Sequence, residues 1–173
     1  MKEQYVLTLK AEDRPGLLHL VTGMIEKRKM KINSLSLAAT DISDITLITV
    51  EVVGTEGEIA ILALKLENII EIFAVEVAKY NQALCLRAAY FKIDSAFFEG
   101  VKASTLSKYS TTIIKTYPGA LLLAQYGTDA AVLSLYNELD GPHLLGFSQT
   151  GLIADCGLMA ENEDVVRIIG LAA

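Results

Sequence analysis

The fold is decided where the chain reads Ala11-Glu12-Asp13-Arg14-Pro15-Gly16-Leu17-Leu18. A β-type apolar run precedes this stretch and apolar residues at helical spacing follow it, so the backbone must change from strand to helix here. We expect Asp13 to be the N-cap, because its carboxylate can accept hydrogen bonds from the free N–H groups of the first turn. Pro15 has no N–H to leave unpaired there, and Gly16 allows another group to approach the backbone.

A helix start of this kind has two interpretations. Its outward N–H groups and the positive end of the helix dipole attract a carboxylate ligand. Alternatively, the stretch is a well-capped helix that binds nothing, as most such caps are. The stretch alone leaves both interpretations open.

The first 80 residues predict six elements. They are a strand at 4–11, a helix at 15–29, strands at 32–40 and 45–53, a helix with apolar positions from 59 to 70, and a strand at 72–80. Alternation in the second strand would place Ile32 on the face opposite to Leu35 and Leu37. The order β-α-β-β-α-β predicts an α+β, ferredoxin-like unit, which has one antiparallel sheet and both helices on one face.

The second half repeats this order. The expected elements are a strand at 84–93, a helix at 97–106, strands at 111–117 and 120–126 around Pro118-Gly119, a helix at 132–139 and one last strand at 144–154. We therefore predict two tandem ferredoxin-like (βαββαβ) units, as domains 1–80 and 81–173. A tail from about residue 158 has no assigned structure.

The composition narrows the classes of protein to consider. Hydrophobic residues make up 52% of the 173 residues and charged residues 21%, which favours a globular chain with some apolar surface covered by a partner. A net charge of −6 without a basic run argues against nucleic-acid binding. No apolar run reaches 18 residues, so we expect no membrane span and no signal peptide. Cys85 and Cys156 stand alone as apolar residues, which suits a reducing cytoplasm.

The sequence offers little catalytic chemistry. With two His and two Cys, it contains no metal-ligand spacing, no Ser/His/Asp arrangement and no phosphate-binding glycine loop. His19 falls on the polar side of the first helix. The carboxylates stand where caps, turns and solvated segments usually place them, so we expect no active site and no metal site on this chain.

Several motifs in order resemble one known family. The helix start and Lys31-Ile32-Asn33-Ser34-Leu35-Ser36-Leu37 resemble an ACT domain, the amino-acid-sensing module. Thr116-Tyr117-Pro118, Tyr126-Gly127-Thr128 and Gln149-Thr150-Gly151 extend the likeness to the small regulatory subunits of acetohydroxyacid synthase, also called acetolactate synthase. The similarity runs from about Gln4 to Gly157.

The resemblance implies a non-catalytic partner of a separate large catalytic subunit. In this family the large subunit holds thiamine diphosphate, FAD and magnesium, and it condenses pyruvate with pyruvate or 2-oxobutyrate in branched-chain amino-acid synthesis. The small subunit activates it and carries none of these cofactors.

The resemblance also implies a homodimer with an effector site. ACT domains of the family pair side by side into an eight-stranded sheet, and valine binds at the seam. The site residues carried over are Asp13, Pro15, Gly16 and Leu17 of one copy and Lys31 and Ile32 of the other. We also expect the second strand to be an outer strand, since so apolar an edge invites pairing.

Four positions depart from the family pattern. The family commonly carries Asn at the positions of Asp13 and Lys31, Arg at that of Gln149, and a basic residue near Cys156. Feedback by valine is therefore expected to be weakened. The alternatives are a free-standing amino-acid-binding ACT regulator of another enzyme and a small enzyme in its own right.

Overall fold

A computed structural model describes residues 1–100 and 108–155, apart from the side chains of residues 98–100. The chain divides into two compact units. The first contains residues 1–84 together with Ala154 and Asp155, and the second contains Cys85–Ile153. The predicted tail from about residue 158, Cys156 and the predicted helical residues 101–106 lie outside the described residues.

The first unit contains six elements in the predicted order. They are β1 (Glu3–Glu12), α1 (Leu17–Glu26), β2 (Lys31–Ala39), β3 (Ile45–Gly54), α2 (Glu56–Glu67) and β4 (Ile72–Lys79). The strands form an antiparallel sheet in the order β2-β3-β1-β4. Both helices pack their apolar residues into a single core on one face of this sheet. This is the ferredoxin-like arrangement predicted from the sequence.

The core of the first unit follows from the two hydrophobic periods. Alternate residues of β1 enter it, including Leu7 and Leu9, and α2 contributes Ile59, Leu62 and Leu66 at helical spacing. Each of these side chains is at most 2% exposed. Burying one such side chain contributes about 1.5–3 kcal/mol. The apolar pattern therefore fixes which faces of sheet and helices meet.

Strand β2 departs from the predicted alternation because it contains a β-bulge. Ile32 pairs with Val52 and Ser34 pairs with Glu51, so Asn33 is an extra residue. The insertion turns Ile32 onto the same face as Leu35, and both pack against the core. The prediction that Ile32 lies opposite to Leu35 is therefore wrong, since one inserted residue reverses every side chain that precedes it.

The second unit repeats the arrangement. It contains β5 (Cys85–Asp94), α3 (Ser95–Gly100), β6 (Thr112–Tyr117), β7 (Ala120–Gly127), α4 (Asp129–Leu139) and β8 (Leu144–Gln149). A short strand, β9 (Ile153–Ala154), begins at the last residue of this unit. The strand order is β6-β7-β5-β8, and β9 also pairs with β5. Cys85 is buried as a thiol, as expected. None of the helices in the described ranges is long and apolar enough to cross a membrane.

The single last strand predicted at 144–154 is instead two strands separated at Thr150. The Thr150 hydroxyl accepts a hydrogen bond from the Ala88 N–H at 3.1 Å, where a regular ladder would use a backbone carbonyl. The Thr150 carbonyl instead accepts from Arg87 Nη1 at 3.2 Å. The regular ladder is interrupted here because both oxygens of Thr150 bond to neighbouring groups of β5.

Candidate effector site at the start of the first helix

Helix α1 begins in a tight turn. The Leu17 N–H donates to the Arg14 carbonyl at 3.3 Å, and Gly16 has φ 91° and ψ −14°. These are the features of a type II turn, with Pro15 and Gly16 as its central residues. The second central position requires a positive φ, which explains the glycine. A Cβ at Gly16 would meet no atom within 4 Å, so a close approach is not the reason for it.

The turn corrects the predicted role of Asp13. Gly16 is the N-cap of α1, and no side chain of the described part of the chain caps this end of the helix. Asp13 therefore lies three residues before the N-cap, because Pro15 and Gly16 take up the turn. Its own N–H donates to the Asp44 carbonyl at 2.8 Å, which ties the start of this loop to the turn between β2 and β3.

The helix start is open to solvent on its outer side. Asp13, Pro15 and Gly16 are exposed, whereas Leu17 is 5% exposed and enters the core. Among the described residues, the N–H groups of Leu18 and His19 have no backbone hydrogen-bond acceptor. Two outward donors and the positive end of the helix dipole remain available to an anion.

The other two predicted site residues lie at the opposite end of the sheet. Lys31 pairs with Val53, whereas Glu12, next to Asp13, pairs with Ile45. The two partners on β3 are eight positions apart, which is about 26 Å at about 3.3 Å per residue. The fold of one chain therefore groups Asp13 with Pro15, Gly16 and Leu17, and separately Lys31 with Ile32.

The register also separates Lys31 from Ile32. Ile32 lies on the face that carries the helices, opposite the buried Val52. Lys31 is opposite Val53, so its side chain points to the face of the sheet that carries neither α1 nor α2, called the helix-free face below with respect to these two described helices. Strand β2 is an outer strand of the sheet order, as expected, whereas its role as a dimer seam stays a prediction.

Comparisons with known proteins include a curated relative of similar length. The acetolactate synthase small subunit of Mycolicibacterium smegmatis is 19% identical over 151 residues, which cover 87% of this chain and 89% of the relative. The acetolactate synthase small subunit of Thermotoga maritima superposes with a TM-score of 0.77 at 15% identity, over 88% of this chain and 96% of that one. This chain resembles acetolactate synthase small subunits. The likeness to the Thermotoga protein confirms the α+β fold of two tandem ferredoxin-like units.

Two further comparisons concern an isolated ACT domain and models of protein families. The ACT domain of GTP pyrophosphokinase from Chlorobium tepidum is 23% identical and covers 45% of this chain and all of that domain, with a TM-score of 0.40. No family model matches the chain. The resemblance to acetolactate synthase small subunits therefore rests on the two proteins that match over most of this chain.

The second unit of this small-subunit-like chain contains an ion pair that was not predicted. Arg87 is 7% exposed and its guanidinium donates through Nε and Nη2 to the Asp129 carboxylate, at the first turn of α4. The pair lies beside a cavity of about 410 Å³ whose lining includes Gln149, one of the positions that depart from the family pattern. The signal in the sequence was a charged residue at an inward position of β5, between Cys85 and Ala89.

A second polar cluster that was not predicted lies in the first unit. Glu51 is 2% exposed, although it stands in an apolar strand between Val50 and Val52. Its carboxylate accepts hydrogen bonds from Gln4 and from two residues at the β2 bulge. No group of three or more His, Cys, Asp or Glu side chains within the described ranges could hold a metal ion.

Proposed function

We propose that this chain is a non-catalytic regulatory subunit that binds and activates the catalytic subunit of an acetolactate synthase. The observation that carries the proposal is the similarity to the Mycolicibacterium smegmatis small subunit, which spans both units and nearly the full length of each protein. In the proposed complex, thiamine diphosphate, FAD and magnesium belong to the catalytic partner. The chain would then act in the synthesis of valine, leucine and isoleucine.

A mixing experiment tests activation directly. The isolated chain should form no acetolactate from pyruvate, and its addition to the cognate large subunit should raise the rate several-fold. The physical reason is that assembly changes the partner, while this chain supplies no reacting group. An unchanged rate at micromolar concentrations would refute the proposal. Amino-acid binding without activation would instead favour a free-standing ACT regulator of another enzyme.

We infer that the first units of two copies pair through β2. Four of its residues are Ile32, Leu35, Leu37 and Ala38, and Leu37 is 46% exposed at the sheet edge. An outer strand with this composition tends to pair with another strand, and two-fold symmetry is the commonest closed arrangement. Sedimentation that shows only monomer well above micromolar concentration would contradict the homodimer.

The dimer would also complete the effector site. Antiparallel pairing of two β2 strands reverses the direction of the second copy, so the partner subunit's Lys31 and Ile32 would lie near the Asp13 end of the first sheet. An amino acid would then place its carboxylate at the N–H groups of the α1 start. We propose that valine or a similar amino acid is the class of ligand for this site.

We further propose that valine inhibits weakly or not at all. Asp13 and the partner subunit's Lys31 would supply a negative and a positive charge at the place where a zwitterion supplies both. The register turns Lys31 toward the helix-free face, so only its flexible stem can bring the ammonium group across. A valine titration of the reconstituted enzyme tests this substitution, since half-inhibition at sub-millimolar valine would refute it. The double change Asp13→Asn with Lys31→Asn should restore sensitivity to valine while activation persists.

A further inference from the structure

The buried carboxylate of Glu51 bonds two consecutive residues of the β2 bulge. Asn33 Nδ2 donates to Glu51 Oε1 at 2.8 Å, and Ser34 Oγ donates to Glu51 Oε2 at 3.1 Å. Gln4 Nε2, on β1, donates to the same Oε1. Glu51 therefore connects the bulge to the two central strands of the sheet, β3 and β1, through side chains alone.

The chemistry of a carboxylate suits this position. It accepts at two oxygens and donates at neither, so it can accept from Asn33 and Ser34 together. A glutamine amide offers one accepting oxygen and one donating nitrogen. Its nitrogen would therefore face either the Asn33 or the Ser34 donor, and no hydrogen bond can form between two donors. Burying this carboxylate costs desolvation free energy, and only its hydrogen bonds to these partners can offset that cost.

The bulge also changes what the outer strand can pair with. Bulges bend the strand and interrupt the regular spacing of hydrogen-bonding groups along its edge. The regular part of β2 therefore runs from Ser34 to Ala39, and Lys31–Asn33 form a separate short segment before it. A second strand can form backbone hydrogen bonds along the regular part. The segment before the bulge does not continue the same hydrogen-bonding register.

We propose that Glu51 is a positioning residue that divides β2 into a pairing segment, 34–39, and an effector segment, 31–33. This proposal rests on the homodimer of the proposed function. Symmetric pairing of the whole strand would be centred on Leu35 and would place the partner subunit's Lys31 opposite Ala39. Symmetric pairing of the regular part is centred on Ser36 or Leu37, and it carries the partner's effector segment past Ala39 to the turn at residues 40–44.

That shift brings the effector segment to the loop where α1 begins. Asp44, in the turn, has φ 62° and accepts the Asp13 N–H at 2.8 Å. The turn also carries Asp41, so it presents two carboxylates to the partner subunit's Lys31. Charge complementarity and strand register therefore both place the partner subunit's Lys31 at the turn of residues 40–44. Glu51 determines this register because it holds the β2 bulge from the helix-free face of the sheet.

The test compares Glu51→Gln with Thr49→Val in the full chain. Thr49 lies on the same strand and the same face, is 4% exposed, and pairs with Ser36 outside the bulge. Glu51→Gln should raise the dissociation constant of the homodimer at least tenfold by sedimentation. It should also accelerate amide hydrogen exchange at residues 31–33 relative to residues 34–39. Thr49→Val should produce neither effect.

A second variant keeps the test decisive if Glu51→Gln does not fold. Asn33 is exposed, so Asn33→Ala removes one donor without opening the core, and it should give an intermediate increase in the dissociation constant. The proposal is overturned if Glu51→Gln or Asn33→Ala changes the dimer and the exchange no more than Thr49→Val does. A wild-type chain that stays monomeric while it activates the catalytic subunit would overturn this proposal and leave activation intact.

Discussion

Two glycines of the first helix region should respond in opposite directions to substitution by alanine. Gly16 is the N-cap of α1 and has φ 91°, whereas Gly23 lies within the helix. A Cβ added at either position would meet no atom within 4 Å. Steric contact therefore contributes nothing to the comparison, and backbone conformation alone decides the sign.

The expected magnitudes follow from the backbone angles. Alanine at Gly16 must adopt a left-handed conformation, which costs about 1–2 kcal/mol. Alanine at Gly23 adopts ordinary helical angles and reduces the freedom of the unfolded chain, which stabilises by about 0.5–1 kcal/mol. The two variants should therefore differ in stability by about 1.5–3 kcal/mol, although each adds a single methyl group.

Hydrogen exchange measures this difference in the first unit alone. Leu7 lies in the central strand β1 and its side chain is fully buried. The amide hydrogens of such residues exchange only when the whole unit opens. Each 1.4 kcal/mol changes the exchange rate tenfold, so Gly16→Ala should exchange faster than the wild type and Gly23→Ala more slowly. Equal rates in the two variants, or a stabilised Gly16→Ala, would refute the type II turn as the reason for Gly16.

Three further perturbations test single interactions. Thr55 caps α2 in a capping box with Glu58, so Thr55→Ala should destabilise the first unit by about 1 kcal/mol in urea unfolding. Hydrogen bonds from the Thr55 backbone and side chain lower the pKa of Glu58. The ionised Glu58 carboxylate should contribute fully to the stability of the first unit above its unfolded-state pKa near 4.5, and this contribution should be lost as the pH falls through its lowered folded-state pKa. Glu58→Gln should remove this pH dependence of stability. Asp129→Ala leaves the buried Arg87 guanidinium without its carboxylate and should cost on the order of 3 kcal/mol, whereas Glu138→Ala, at an exposed pair, should change the unfolding midpoint little.

Most of the elements could be predicted from the sequence, because each depends on local patterns. Leu7 and Leu9 alternate at the period of a strand, and Ile59, Leu62 and Leu66 recur at the period of a helix. Turn residues separate these runs at nearly every boundary. The order of elements and the ferredoxin-like fold follow from those periods without knowledge of any long-range contact.

The sequence-based predictions are wrong at positions where a single residue alters the local backbone structure. Asp13 is a good N-cap by type, but the turn formed by Pro15 and Gly16 moves the helix start beyond its reach. Asn33 has no feature that marks it as an extra residue in β2. Thr150 interrupts the last strand because its hydroxyl replaces a backbone acceptor, a choice that depends on the adjacent strand.

The candidate effector site was predicted residue by residue, but its arrangement depends on the tertiary structure. Asp13 and Lys31 are 18 positions apart in sequence, and only the register of β2 on β3 shows that they lie at opposite ends of the sheet. The sequence by itself determined which elements form and in what order, because hydrophobic periods and turn residues act locally. The tertiary structure alone decided the partners of Glu51 and Arg87, because a buried charge takes its partners from whichever strands and helices the fold brings beside it.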